Sequence, residues 1–197
     1  MDHLAQAVLE RITVPLEASG RHVHVTQAQA LALFGHDLTP ERELSQPGQF
    51  LSRERVSVQG PKGKFENVAV LGPARKAAQV EISLTDGRVL GIKAPVRLSG
   101  DTKNSPGCTL IGEKGSITVT EGVIAAKRHI HLHPNDALCL GVSDRQEVKL
   151  QTLTGRPTIF EAVSVRVSPD FSTAAHLDYD EANACGFAKG DRGRIVT

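Results

Sequence analysis

The sequence predicts a mainly β protein: two small β-barrels, closed or partly closed, related by internal duplication and capped by short α-helices. Three observations carry this. The pattern Arg21-His22-Val23-His24 returns as Arg128-His129-Ile130-His131, and at the same offset Ala30-Leu31-Ala32-Leu33 falls opposite Ala137-Leu138-Cys139-Leu140. At a slightly shorter offset Phe65-Glu66 matches Phe160-Glu161, Val68 and Val70 match Val163 and Val165, and Gly91 matches Gly186. A duplication is the simplest account of both. Alternating apolar runs joined by turn residues recur in both halves without a βαβ period, and closing such short strands into barrels removes exposed edges.

Taken in order, residues 2–12 read as an amphipathic helix with Leu4, Val8 and Ile12 on one stripe. A strand follows from Ile12 to Ala18 and leads into the first histidine pair. Thr26 with Gln29 makes a capping box for a helix ending near Gly35. The stretch from His36 to Phe50 has little periodicity and reads as a loop. Arg55-Val56-Ser57-Val58, the turn Gly60-Pro61-Lys62-Gly63 and Phe65 to Leu71 make a β-hairpin. Its copy is Glu147 to Leu153, a turn at Thr154-Gly155-Arg156-Pro157, and Thr158 to Val167. Two more strands flank Gly112-Glu113-Lys114-Gly115, and Val123 to Ala126 feeds the second histidine pair. Pro134 suits a helix start, and His133 reads as its cap, with a spare metal ligand on the face of His129 and His131 as the alternative.

Composition narrows the function. The 197-residue chain is 40% hydrophobic, enough for a real core. Its formal net charge of +1, with one Tyr, six Phe and no Trp, gives no case for nucleic acid or an anionic membrane. Cys108, Cys139 and Cys185 are odd in number and scattered, which points to a reducing compartment rather than a disulfide framework. No run reaches the roughly 18 apolar residues of a membrane span, and no signal peptide is visible, so an intracellular, cytoplasmic protein is expected.

The histidines supply the chemistry. In a strand, residues two apart point the same way, so both rings of each pair look into one site. In the register of the duplication Glu81 falls opposite His176. Each half therefore offers three ligands: His22, His24 and Glu81, then His129, His131 and His176. Imidazole and carboxylate suit zinc, and six ligands exceed what one tetrahedral ion accepts, so two zinc ions are expected.

Several longer stretches carry a resemblance: the two Arg-His-x-His pairs, Leu44-Ser45-Gln46-Pro47-Gly48-Gln49-Phe50, Gly72-Pro73-Ala74-Arg75-Lys76, Gln79-Val80-Glu81-Ile82-Ser83-Leu84-Thr85-Asp86, Ala94-Pro95-Val96-Arg97-Leu98-Ser99-Gly100 and Asp180-Glu181-Ala182-Asn183-Ala184. With these, the chain resembles the PduL-type phosphotransacylases, or phosphate propanoyltransferases, from about Val14 onward. The resemblance implies interconversion of acyl-CoA plus phosphate with acyl phosphate plus CoA on a dinuclear zinc site. It implies a first barrel of residues 12–20 plus 127–197, a second of residues 21–126, and a separate N-terminal helix over residues 1–11. By motif, Glu81 would bridge the two metals, Arg75 would bind phosphate, and Gln49 and Ser99 would line the substrate site. Microcompartment members of this group carry a longer N-terminal encapsulation helix, so shell or core proteins are candidate partners here, and self-association is left open. Residues 16–20 read Leu-Glu-Ala-Ser-Gly where the group tends to have Gly-Val-Ser-Asn.

The chemistry such a reaction needs agrees with these residues. Phosphate must attack a thioester carbonyl while a thiolate leaves, which calls for positive charge, an electrophile and a soft ion. No Ser or Cys triad or GxSxG elbow is visible, which favours direct transfer. A metal-dependent thioesterase-like hydrolase is the alternative, separated by whether acyl-CoA consumption needs phosphate. A purely structural metal module is the third reading, and open N/O ligand sets argue against it.

Overall fold

A computed structural model describes residues 11–196. Fifteen strands and four short helices lie within that range, and the protein is mainly β. The helix expected over residues 2–12 falls outside the described residues except for Arg11 and Ile12, which are helical.

The chain divides into two compact units, one of the chain up to Ser19 together with the chain from Lys127, the other of Gly20–Ala126. In the first unit six strands close into a barrel, in the order β1 (Val14–Ser19), β14 (Ala174–Asp178), β11 (His129–Leu132), β13 (Ile159–Val167), β12 (Glu147–Leu153) and β15 (Arg192–Val196). Val14, Leu16, Ile130, Leu132, Leu150, Val163, Val165 and Leu177 fill it. Helix α3 (Pro134–Leu140) follows β11, and α4 (Tyr179–Ala184) follows β14.

In the second unit nine strands form a curled, open sheet. Its path runs β7 (Val96–Arg97), β10 (Val123–Ala126), β6 (Gln79–Glu81), β2 (His22–His24), β5 (Lys64–Gly72), β4 (Phe50–Gln59), β8 (Cys108–Ile111) and β9 (Ser116–Val119), with β3 (Pro40–Glu43) beside β4. Helix α1 (Gln27–Phe34) follows β2, and α2 (Leu84–Leu90) follows β6. The core is Val23, Val25, Leu33, Val56, Val58, Val70, Val80, Leu90 and Leu110.

The duplication reappears in the hydrogen-bond register. β2 lies between parallel β5 and antiparallel β6, with His22 beside Ala69 and Glu81. β11 lies between parallel β13 and antiparallel β14, with His129 beside Ser164 and His176. The strand that precedes each histidine pair goes elsewhere: β1 pairs with β14 and β10 with β6, so that Glu17 faces His176 and Ile124 faces Glu81.

Local chemistry explains most elements. Thr26 and Gln29 form the expected capping box, and Gly35 ends α1 at φ 80°, a left-handed angle that glycine adopts without steric penalty. His133 caps α3 by accepting from the Asn135 N–H at 3.3 Å, with Pro134 at the first helical position. The hairpins at β4–β5, β8–β9 and β12–β13 fall where the alternating runs placed them. Two features were not foreseen. The 36–50 stretch contains β3, whose Pro and charged residues suit an exposed edge. Helices α2 and α4, of seven and six residues, are too short to show periodicity. Their sequence signal was two further capping boxes, Ser83 with Asp86 and Asp178 with Glu181.

Candidate functional site

Strand pleating builds the first cluster. Val23 points into the core at 0% exposure, which turns His22 and His24 together onto the other face, their ring centroids 5.0 Å apart. Antiparallel pairing sets Glu81 directly across from His22, with His22 Nε2 and Glu81 Oε2 at 3.6 Å. One ligand atom from each of His22, His24 and Glu81 lies within 4.8 Å of the others, and all three residues are buried. His22 Nδ1 donates to the Gly20 carbonyl at 2.8 Å and His24 Nδ1 to the Leu71 carbonyl at 3.2 Å. Such bonds select the tautomer whose Nε2 lone pair is available to a metal.

A polar chain backs Glu81. Gln79 stands opposite His24 across the same strand pair, and its amide donates to Glu81 Oε1 at 2.6 Å and to Ser99 Oγ at 2.8 Å. Gln79 Oε1 accepts from the Gly100 N–H at 2.8 Å, which fixes the amide's orientation. Arg75 Nη1 donates to Ser99 Oγ at 3.2 Å, so Arg75, Ser99, Gln79 and Glu81 form one connected run. Gln79 was missed as a site residue, although it stands two positions before Glu81 on the same face. Gln49 does not join this run: its backbone bonds Gln46 and Leu44 in the turn before β4.

The charges are matched. Burial disfavours the charged form of His22, but the Glu81 carboxylate outweighs it and leaves the His22 pKa above the usual value, with Arg75 pulling the other way. His24 is pushed down to about 3 by burial, by His22 and by Arg75. Glu81, although burial would raise it, is held well below the usual carboxylate range by His22, His24 and Ser99. It is a fixed anion facing imidazoles.

The second cluster repeats the plan. Ile130 is fully buried, and His129 and His131 share the opposite face with centroids 4.6 Å apart. His176 stands across from His129, 4.9 Å from each of the other two rings. His129 Nδ1 meets the Lys127 carbonyl at 2.9 Å, as His22 meets Gly20. His176 Nδ1 lies 3.6 Å from Glu17 Oε2, an orienting carboxylate that alternation along β1 alone did not single out. Phe171 stacks on His131 at 4.1 Å. Burial, His129 and Arg166 push the His131 pKa down to about 3.

Both sets fit a metal. His131 is 7% exposed, yet neither of its ring nitrogens has a hydrogen-bond partner, a cost that a coordinate bond would remove. His129, His131 and His176 present ligand atoms within 4.8 Å of one another. Zinc bonds of 2.0–2.1 Å imply donors about 3.3 Å apart, within side-chain adjustment of that spacing. Three N/O ligands per set leave a coordination position open, as catalytic rather than structural sites do. Two further arginines in the motif stretches are engaged in ion pairs: Arg97 pairs with Asp101 at 2.9 Å and Arg128 with Glu181 at 2.7 Å.

Comparison with known proteins agrees in one direction. A sequence profile described as phosphate propanoyltransferase matches residues 15–188. A phosphate propanoyltransferase of Enterococcus faecalis is 51% identical over 204 residues, covering 100% of this chain and 97% of that protein. One of Listeria monocytogenes is 52% identical over 198 residues, covering 100% and 93%. One of Thermotoga maritima is 50% identical over 181 residues, covering 90% and 86%.

Proposed function

The chain belongs to the phosphate propanoyltransferase family, and on that premise we propose that it moves a short-chain acyl group, propanoyl or acetyl, between CoA and phosphate at a site containing two zinc ions. It is a transferase of the phosphate acyltransferase class. Membership disfavours the thioesterase-like alternative, in which water replaces phosphate.

The observation that carries the site assignment is the pair of register-matched ligand sets, His22, His24 and Glu81 in one unit and His129, His131 and His176 in the other. Each set would hold one zinc ion. Bound zinc supplies Lewis acidity toward a carbonyl oxygen and a soft partner for sulfur.

The chain's own residues account for the rest. Arg75 presents a planar fork that matches two phosphate oxygens, and Ser99 steadies it. Gln79 occupies Glu81 Oε1, which leaves Oε2 toward His22. Gln49, in the turn before β4, would contact substrate from the loop. A phosphate oxygen forms the new bond to the acyl carbon as the carbon–sulfur bond breaks, and CoA departs as the thiolate.

Acyl-CoA consumption by the purified full chain, measured across acetyl-, propanoyl- and butanoyl-CoA with and without phosphate, tests the reading. Thiol release that depends on phosphate is expected, with acyl phosphate formed in equal amount. Equal release without phosphate would overturn it. Within the same reading, Leu4, Val8 and Ile12 would dock the chain to a microcompartment shell or core protein inside the cytoplasm. A chain beginning near Ile12 should then lose that localisation, and unchanged localisation refutes the docking.

A further inference from the structure

The arginine that opens each Arg-His-x-His motif takes no part in the reaction described above, yet both are held in the same way. Arg21 donates through Nη2 to Asp86 Oδ1 at 2.7 Å and through Nε to Asp86 Oδ2 at 3.1 Å, and its guanidinium lies 4.1 Å over the Phe65 ring. Arg128 donates through Nη1 to Glu181 Oε1 at 2.7 Å and through Nε to the Glu161 carbonyl at 2.7 Å, 5.7 Å over the Phe160 ring. Each arginine directly precedes the first histidine of its pair, at the entry to its strand.

The carboxylates are equally placed. Asp86 and Glu181 are the third residues of α2 and α4, and each also accepts from the N–H of its helix cap, Ser83 or Asp178. Those caps stand two residues after Glu81 and His176. In each unit a closed loop of contacts thus runs from the first histidine through its arginine and the helix carboxylate to the cap, and back along the chain to the third ligand. The two units keep this loop while changing the carboxylate from Asp to Glu and the third ligand from Glu to His.

Resting on the reading of both clusters as metal sites, we infer that Arg21 and Arg128 are positioning residues that hold each histidine pair to its third ligand through the helix carboxylate and cap, so that each unit's metal affinity depends on its own arginine. The geometry divides them. The Arg21 fork is bidentate on a carboxylate that is 5% exposed, whereas Arg128 gives its carboxylate one bond. Loss of Arg21 should therefore cost more.

The test titrates zinc, against a chromophoric chelator, into the full chain stripped of metal, for wild type, Arg21→Gln, Arg128→Gln, Asp86→Asn and Arg21→Gln/Asp86→Asn. Orienting partners of metal ligands typically contribute 10- to 100-fold in affinity. Arg21→Gln should weaken one of two sites by about that factor and leave the other within about twofold, and Arg128→Gln should do the reverse. The double variant should be no weaker than Arg21→Gln alone. The metal-free melting temperature is read alongside, because a merely structural role lowers it without selecting one site. If Arg21→Gln does not fold, Arg21→Lys, which keeps the charge and loses the fork, should show a smaller loss at the same site. Two ions bound with wild-type affinity in the variants, or equal weakening of both sites, overturns the inference. A wild-type chain that binds no zinc overturns the metal reading itself.

Discussion

His22 and Glu81 stand directly opposite each other on antiparallel strands, with Nε2 and Oε2 3.6 Å apart and both side chains 9% exposed. The same cross-strand position in the other unit holds His129 against His176. Cross-strand pairs on one sheet face sit about 5 Å apart, close enough for one ion to join them. The third ligand comes two residues along the first strand.

Glu81→Gln keeps the shape and removes the charge. It should lose one equivalent of zinc, and activity should fall by at least about 100-fold, the usual scale for an electrostatic group in a site. In the metal-free chain the His22 pKa should also fall, since the Glu81 carboxylate is what holds it up against burial. Elemental analysis and an NMR titration check these; wild-type metal content would remove Glu81 from the ligand set.

Arg75→Ala should retain fold and metal while raising the phosphate requirement. A charge-assisted bidentate contact contributes on the order of 2–4 kcal/mol, or roughly 30- to 1000-fold in kcat/KM for phosphate. Arg75→Lys should recover only part of it, because an ammonium lacks the fork. Near-normal kcat/KM for phosphate in Arg75→Ala would place the clamp elsewhere.

The metal-free chain should lose stability as pH falls from about 7 toward 5. His24 and His131 are held down to about 3, so between the unfolded value near 6.5 and that pH the unfolded chain binds protons that these two cannot. His22, raised, works the opposite way, its stabilisation present below 6.5 and lost as pH rises through its folded value. Glu81 is depressed and loses its contribution only below the ordinary carboxylate range. Asp178, pushed up to about 6 by burial, also gains stability on acidification, but only from about 6 downward, whereas both depressed histidines act over the whole range below 6.5. The urea midpoint should therefore be lower at pH 5 than at pH 7.5. A higher midpoint at pH 5 would refute this, and bound zinc should flatten the dependence.

Ala162 sits at φ 52°, in the left-handed region, at the position that duplicates Asn67 at φ 56°. Alanine is strained there and asparagine tolerates it. Ala162 is exposed, so Ala162→Asn should stabilise the chain by up to about 1 kcal/mol, and Ala162→Val should destabilise it by a similar amount. Urea denaturation of the zinc-loaded protein measures both.

Much of the site was legible because its information is local and repeated. Two histidines at i and i+2 share a strand face wherever the strand goes, and the duplication aligned Glu81 with His176 before either strand had a partner. Thr26 with Gln29 and the Pro-Gly turns likewise act within a few residues of themselves. Strand partnership is different: β1 joins β14 and β10 joins β6, a choice among many strand edges that only the packed chain resolves. The same holds for Gln79 joining Ser99 to Glu81, for Arg21 reaching Asp86 and for Glu17 facing His176. Each joins segments that are distant or independently placed along the chain. Local periodicity sets which face a side chain occupies, but its partner across the sheet depends on burying apolar surface over the whole unit.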